Sequence, residues 1–259
     1  MIKSFLKNTR LWIVISNSDL YQKLRNPVGF KKYQEEVNFY SQLLAAINYP
    51  KELIFDVGAN LGKKSAIFST LSKKVIAFEP SEKLFDYIRK RFKNSHVELF
   101  NCALGSTVSS SEFYEINGNE AYNSLSKKHI ETTVTKRNIS TIELVNTRKV
   151  NVEIIENFIR KFGVPVYIKI DVEGYEYEVI KGLKTPVPLI SFEANLPEFR
   201  DESINIIEYL STISWDKYQF NFTSGNFLLL PNFVNKEVAI DFLSQTQYRY
   251  VEIYAKLEL

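Results

Sequence analysis

The 259-residue sequence is poor in the residues that form covalent cross-links and thiolate or imidazole metal sites. It has one cysteine and two histidines, which excludes an intrachain disulfide and a Cys- or His-rich zinc site. Scarce cysteine favours a reducing, cytoplasmic setting. The 33 Lys+Arg and 30 Asp+Glu leave a net charge of only +3, so no nucleic-acid partner is expected. No apolar run approaches the ~20 residues that span a bilayer.

The composition is otherwise that of a globular protein, with 45% hydrophobic and 14% aromatic residues. We expect residues 1–50 to form a helical arm or cap that packs on the main domain, or on a second copy in a homo-oligomer. The apolar run Leu11–Ile15 is too short for a signal peptide, although a membrane-surface role stays open. Apolar spacing predicts a helix from about Phe30 to Ile47. The main domain should cover residues 51–259.

The main domain begins with a buried strand and a glycine turn. Leu53–Val57 is apolar except for Asp56, as expected of a strand covered on both faces. Gly58 and Gly62 then allow a sharp turn and the close approach of a ligand to bare backbone. A helix begins at this turn, so its free N–H groups should face the ligand.

A second strand, Val75–Phe78, ends in Glu79 and Pro80. An acidic side chain at this strand tip is placed to accept hydrogen bonds from two ribose hydroxyls. The unit is therefore predicted to bind a nucleoside.

The turn lacks the middle glycine of the dinucleotide fingerprint G-x-G-x-x-G. This disfavours a nucleotide-dependent oxidoreductase, which stays an alternative. The carboxylate of Asp56 would repel phosphates and suit the ammonium group of a sulfonium ligand. The spacing Asp56-x-Gly58-x-x-x-Gly62 resembles motif I of class I S-adenosylmethionine-dependent methyltransferases. Ala59 and Asn60, inside the turn, are counted with the cofactor residues.

A third strand, from about Val97, leads into the small-residue turn Asn101–Gly105. In this kind of fold the turn passes beside the adenine, so Asn101, Cys102 and Ala103 are candidates for reading the base. A loop with no ligand is the alternative.

Residues 106–140 interrupt the alternation of strands and helices. Glu112–Ile116 and Thr132–Lys136 alternate like strands, which predicts an inserted antiparallel hairpin that selects the acceptor. His129 lies in this insertion and is expected at the surface, with a role as catalytic base as the alternative.

Acidic residues follow the fourth and fifth strands. Asp171 and Glu173 come after Val166–Ile170, and Glu193 comes after the strand that ends near Phe192. The carboxyl ends of parallel strands form the ligand site of such a sheet, so these three acids are the candidate catalytic residues.

Other roles stay open for these acids. Glu173 could instead bind the backbone of the next helix, and Glu193 could hold acceptor hydroxyls. Asp171, Glu193 and Asn195 also offer the oxygen ligands that Mg²⁺ prefers, so a divalent cation is an alternative that we do not favour.

The C-terminal part predicts the closing strands of the sheet. Tyr218–Phe222 and Phe227–Leu230 should form an antiparallel hairpin, and Tyr248–Lys256 is expected to add one more strand at the edge. The predicted fold is α/β: a mostly parallel, twisted, Rossmann-like sheet flanked by helices.

The motifs DVGANLGKKS, FEP, NCALG and KIDVEG, in this order, resemble the FkbM family of methyltransferases. The resemblance implies a class I fold, S-adenosylmethionine as donor, and O-methylation of a sugar, glycan or natural-product hydroxyl. It assigns Asp56, Gly58, Asn60 and Glu79 to the cofactor, and places Asp171 and Glu173 at the reaction centre. A non-catalytic scaffold with the same fold is the alternative, and the acceptor stays undetermined.

Overall fold

A computed structural model describes residues 26–116, 119–136 and 145–258. The chain divides into two compact units, residues 1–46 and 47–259. The apolar run at 11–15, and most of the predicted arm, lie outside the described residues. The first unit contains helix α1 (Pro27–Ala45), which Asn26 caps by accepting a hydrogen bond from the Gly29 N–H. Its position confirms the helix predicted near this point.

The second unit is built from strands and helices in the order that the sequence predicts, apart from the insertion and the part after residue 223, where the helix Lys236–Gln245 was not predicted. The strands are β1 (Leu53–Val57), β2 (Lys74–Phe78), β3 (Val97–Phe100), β4 (Ala103–Leu104), β5 (Ser109–Ile116), β6 (Val145–Glu153), β7 (Tyr167–Ile170), β8 (Leu189–Asn195), β9 (Tyr218–Thr223) and β10 (Tyr250–Leu257). The further helices are α2 (Lys63–Leu71), α3 (Glu82–Arg91), α4 (Lys127–Lys136), α5 (Ile155–Phe162), α6 (Glu176–Lys181), α7 (Arg200–Ile213) and α8 (Lys236–Gln245). Among the described helices, none is both long and apolar enough to cross a bilayer.

Seven strands form the main sheet, in the order β3-β2-β1-β7-β8-β10-β9. Neighbours from β3 to β8 are parallel, whereas β10 runs antiparallel to both β8 and β9. This confirms the predicted α/β fold with an antiparallel C-terminal pair. The order reverses between β1 and β7, so their carboxyl ends leave a crevice at that edge of the sheet.

The central strands are apolar because both of their faces are covered. Every residue of β1 and β7 is buried. Two charged residues interrupt this pattern, and Asp56 of β1 lies directly opposite Lys169 of β7 in the strand register. Their charges are therefore buried beside each other in the middle of the sheet.

The C-terminal strand pair differs in detail from the expected hairpin. The partner of β9 is β10, which inserts between β8 and β9 rather than lying at the edge. The segment Phe227–Leu230 forms only the isolated bridge between Thr223 and Leu228. The side chain of Asn221 explains this, because it binds the Leu230 N–H and the carbonyls of Leu230 and Asn232, holding the segment as a turn.

The insertion is also organised differently from the prediction. Strand β5 pairs with β6, and Thr132–Lys136 belongs to helix α4 instead of a strand. His129, Ile130 and Thr133 share the buried face of that helix at helical spacing, which outweighs the local alternation. Strands β5 and β6 form a second sheet together with β4, in the order β4-β6-β5.

Candidate cofactor and reaction site

A cavity of about 280 Å³ lies at the carboxyl ends of β1, β2 and β7. The predicted site residues that line it are Gly58, Ala59, Asn60, Glu79, Pro80, Cys102, Ala103, Asp171 and Glu173. The predicted residues outside its lining are Asp56, Gly62, Asn101 and Glu193. The sequence patterns at three strand tips thus converge on one crevice.

The turn after β1 packs directly against the tip of β7. The N–H groups of Gly58 and Ala59 both donate to the carbonyl of Phe78, at 3.1 and 2.9 Å. Gly58 has a φ of +84°, and a Cβ atom at this position would lie 1.8 Å from the carbonyl oxygen of Asp171. Only glycine fits here, and this close packing brings the turn and Asp171 to the same cavity.

The carboxylate of Glu79 is held by backbone donors. Its Oε2 accepts from the Asn60 N–H at 2.7 Å, and its Oε1 accepts from the Ser81 N–H at 2.8 Å. Burial raises the pKa of Glu79 to about 7, although these two N–H groups oppose the rise. Each carboxylate oxygen keeps a further lone pair, so the side chain can still accept hydrogen bonds from a ligand in the cavity.

Asp56 lies behind this cavity. It is buried and accepts a hydrogen bond from the hydroxyl of Ser65, which ties β1 to helix α2. Burial raises the pKa of its carboxyl, and the Ser65 hydrogen bond and the charge of Lys169 oppose the rise. Direct contact between Asp56 and a ligand therefore stays a prediction, while its contact with Ser65 is structural.

Asn101 is occupied by the backbone of the neighbouring strand tip. Its Nδ2 donates to the carbonyls of Glu79 and Pro80, at 2.8 and 3.2 Å. The next residue, Cys102, lines the cavity, and burial raises the pKa of its thiol to about 12. The apolar residues Cys102, Ala103, Leu104, Phe113 and Leu125 also line the cavity, and we call this part of its lining the apolar slot.

The strand-end acids meet around a buried lysine. Each acid contributes one carboxylate oxygen to a group whose members lie within 4.8 Å of one another; the three acids are Asp171, Glu173 and Glu193. The Nζ of Lys169 lies 2.8 Å from Asp171 Oδ2 and 3.8 Å from Glu193 Oε1. Lys169 is 1% exposed, and sequence reasoning missed it. Its signal was a lysine inside an apolar strand, where a buried charge requires a partner.

The three acids lie close enough together to hold a divalent cation, but a buried lysine already offsets part of their charge. The Lys169 ammonium already lies within 4 Å of two of the acids and supplies the positive charge that a metal would bring. The acid that joins Asp171 and Glu193 is Glu173, which the ligand set considered from the sequence did not include.

Glu173 is held in a strained, enclosed position. Its φ is +54°, and its carbonyl accepts a hydrogen bond from the Ser124 hydroxyl at 2.7 Å. Burial raises the pKa of its carboxyl to about 9, and the nearby charges of Asp171 and Glu193 add to the rise. The backbone-binding role considered for Glu173 belongs instead to Glu176, whose Oε1 accepts from the N–H groups of Val172 and Gly174.

His129 is buried, which contradicts the expected surface position. Helix α4 turns it inward, where its Nε2 lies 3.2 Å from Thr133 Oγ1 and 3.5 Å from Glu173 Oε2. Burial lowers its pKa to about 4, so the imidazole is neutral at physiological pH. The residue does not line the cavity.

Glu193 faces a smaller cavity of about 140 Å³, with Gly174, Phe199 and Glu202 in its wall. Tyr250 donates a hydrogen bond to its Oε1 at 2.7 Å. Burial raises the pKa of the carboxyl to about 8, and the charge of Asp171 adds to the rise. Sequence reasoning missed Tyr250, because its strand was expected at the sheet edge rather than beside β8.

Residues 56–222 match the family described as the methyltransferase FkbM domain. The chain belongs to this family. The match covers more than half of the chain and includes the turn at Gly58 and the strand tips at Glu79 and Asp171. It confirms the resemblance found in the sequence, and S-adenosylmethionine is accordingly the cofactor. A nucleotide-dependent oxidoreductase is set aside.

A similar curated protein is the hexuronic acid methyltransferase AglP of Haloferax volcanii, which is 29% identical over 141 residues. The aligned part spans 54% of each protein, about half the length of this relative.

Similar solved structures include the plantazolicin methyltransferase BpumL in complex with SAH, with a TM-score of 0.46 and 9% identity over 98% of this chain and 93% of that one. Another is a precorrin-6y C5,15-methyltransferase from Geobacter metallireducens, with a TM-score of 0.43 and 11% identity over 85% and 87% of the two chains. These likenesses are remote, and the strand order described above defines the fold.

Proposed function

We propose that this FkbM-family methyltransferase transfers a methyl group from S-adenosylmethionine to a hydroxyl of a sugar, glycan or natural-product acceptor. The observation that carries the proposal is the position of Asp171. This carboxylate lines the cofactor cavity beside the Gly58 turn and is paired with a buried ammonium. It is the group best placed to take the proton of an incoming hydroxyl.

The polar and apolar groups of the cavity fit the parts of the methyl donor. Glu79 keeps acceptor capacity for ribose hydroxyls, and the slot between Cys102 and Leu125 suits a flat base. Lys63 and Lys64 line the cavity at the start of α2, where positive charge would face the donor's carboxylate. When bound, S-adenosylmethionine supplies an electrophilic methyl group on a sulfonium.

Asp171 is the proposed base because the neighbouring acids are unsuited to the task. The raised pKa values, about 9 for Glu173 and about 8 for Glu193, keep both carboxyls protonated at neutral pH. A protonated carboxyl cannot accept the hydroxyl proton, although it can donate a hydrogen bond. A positioned base contributes typically about 10²–10⁴-fold to a rate, and alignment of the two reactants supplies much of the remainder.

Lys169 holds Asp171 in place. It is almost fully buried, and its 2.8 Å contact fixes one carboxylate oxygen while the other stays available. A buried ion pair of this kind costs desolvation and rarely adds stability, so its retention here is consistent with a role in positioning.

A sugar hydroxyl is favoured as acceptor by the relative that acts on hexuronic acids. An acidic acceptor would have to keep its own carboxylate away from Asp171, whereas the protonated carboxyls of Glu173 and Glu193 could donate hydrogen bonds to it. The proposal includes a cytoplasmic setting, in keeping with the single cysteine.

The test is turnover of isotopically methyl-labelled S-adenosylmethionine with a panel of neutral sugars, uronic acids, glycolipid head groups and hydroxylated natural products. We expect label to enter an acceptor hydroxyl, located by mass spectrometry and NMR. Binding of S-adenosylhomocysteine without turnover on any acceptor would favour the scaffold alternative. Label transferred to nitrogen or carbon would show that the protein is a methyltransferase but would contradict O-methylation.

A further inference from the structure

The insertion contributes one buried amide that has no partner in the part of the chain that the structure describes. The Oδ1 of Asn123 accepts a hydrogen bond from the Ile116 N–H at 2.9 Å, which fixes the orientation of the amide. Its Nδ2 is buried and unpaired, and Asn123 lines the cofactor cavity. A buried N–H donor without an acceptor is costly, so a ligand atom is the natural partner.

The backbone around Asn123 directs this amide toward the apolar slot. Ser124 and Tyr114 exchange backbone hydrogen bonds of 2.9 and 3.0 Å, so the segment is extended like a strand at this point. Side chains on either side of such a residue share one face, which places Asn123 and Leu125 together. Leu125 packs against the cluster that contains Ala103 and Phe113.

Asn101, one of the base-reading candidates predicted from the sequence, already donates from its Nδ2 to the carbonyls of Glu79 and Pro80. We infer that Asn123 Nδ2 donates a hydrogen bond to a ring nitrogen of the donor's adenine, so that the insertion forms part of the cofactor site. The inference rests on the proposed placement of S-adenosylmethionine in this cavity. Adenine suits the site because it is a flat ring whose unprotonated nitrogens accept hydrogen bonds.

Isothermal titration with S-adenosylhomocysteine tests the inference without any need for turnover. Asn123→Asp keeps an oxygen for the Ile116 N–H but removes the donor, so binding should weaken about 10- to 100-fold. Asn119→Asp is the matched control, since it makes the same charge change in the same insertion at an exposed residue outside this cavity. The control should bind like the wild type, and all three proteins should unfold at similar temperatures without ligand.

A ligand-side change identifies the accepting atom. The 1-deaza, 3-deaza and 7-deaza analogues of S-adenosylhomocysteine each replace one ring nitrogen by C–H. The wild type should bind one of the three analogues more weakly than it binds S-adenosylhomocysteine. Asn123→Asp should bind that analogue and S-adenosylhomocysteine equally well, because the substitution and the analogue remove the same hydrogen bond. Equal losses in both proteins for all three analogues, or unchanged binding by Asn123→Asp, would overturn the inference. Failure of the wild type to bind S-adenosylhomocysteine would instead contradict the proposed function.

Discussion

The strand tips of the main sheet and the insertion (residues 106–140) both line the cavity, but different kinds of contact hold them in place. The tips at Gly58, Glu79 and Asp171 follow directly from buried strands, and backbone packing fixes their positions. The insertion is joined to them by side-chain contacts, such as those of Ser124 with the Glu173 carbonyl and Ser81 with Glu115.

This difference assigns separate tasks to the two regions. A strand tip cannot move without disturbing a central strand, which suits groups that must be aligned precisely enough for chemistry. The insertion can change while the sheet remains intact, which suits the choice and enclosure of ligands. Changes at the tips should therefore affect the rate or the donor most, and changes in the insertion should have smaller effects.

The largest effect is expected for Asp171→Asn. The amide keeps the shape of the side chain but cannot accept the hydroxyl proton, so kcat should fall about 10²–10⁴-fold. Affinity for S-adenosylhomocysteine should change little, since Asp171 is proposed to act on the acceptor. Single-turnover rates and titration calorimetry measure the two quantities.

Two controls test whether kcat falls in Asp171→Asn because the protein has lost a catalytic base. Glu193→Gln should be nearly silent at pH 7, because burial already keeps that carboxyl protonated, with a pKa of about 8. Added Mg²⁺ should not restore Asp171→Asn, and a chelator should leave the wild type active. Rescue by Mg²⁺ would show that the acids hold a metal instead.

Glu79→Ala should weaken donor binding by about 1–3 kcal/mol, because a carboxylate acceptor for the ribose is lost. Part of this loss would arise because the N–H groups of Asn60 and Ser81 also lose the carboxylate as their acceptor. Glu115→Ala is the control: it removes a nearby acid that bonds the Ser81 hydroxyl but does not line the cavity. Equal affinities of Glu79→Ala and the wild type would show that this strand tip does not contact the ribose.

The two regions also differ in how far the sequence predicts them. Apolar runs that end in Gly58, Glu79 and Asp171 predicted the strand tips, because a buried parallel strand has a short and strong pattern. The insertion was predicted wrongly at Thr132–Lys136, where polar and apolar residues alternate but the helix buries one face. Asn123 and its fixed amide could not be found without the correct pairing of β5.

The sequence also could not predict side chains whose partners lie on distant strands. Lys169 was missed although it is a charge in an apolar strand, because its partners Asp171 and Glu193 lie at the tips of two different strands, β7 and β8. Tyr250 reaches Glu193 only because β10 enters the sheet beside β8, which no local pattern indicates.

The pH dependence of stability can sharpen the comparison at Glu173. Its pKa of about 9 exceeds the ordinary value of 4.5, so folding favours the neutral form. The resulting stabilisation is complete below about pH 4.5 and is lost as the pH rises toward 9. Glu173→Gln cannot ionise, so its stability relative to the wild type should increase with pH, by on the order of 3 kcal/mol between pH 6 and pH 8.5.

Urea denaturation of both proteins near pH 6 and pH 8.5 measures this difference. Glu237→Gln, the same substitution at an exposed position of α8, is the control and should be as stable as the wild type at both pH values. A constant difference between Glu173→Gln and the wild type would show that Glu173 is already ionised in the folded protein.

The smallest effect is expected where the two regions meet, at Ser124. Its hydroxyl donates to the Glu173 carbonyl at 2.7 Å and accepts from the Ser126 N–H at 2.8 Å. Ser124→Ala should lower the free energy of unfolding by about 1 kcal/mol, the usual net value of a buried hydrogen bond. Ser110→Ala, an exposed serine of the same insertion, should change nothing measurable.

The division of tasks predicts what else Ser124→Ala should do. Loosening the insertion should weaken S-adenosylhomocysteine a few-fold, while kcat at saturating donor stays close to that of the wild type. Backbone packing of Gly58 against the Asp171 carbonyl would still hold the base in position. If kcat instead fell as far as in Asp171→Asn, the insertion would be positioning the catalytic acid, and the separation between the two regions would be wrong.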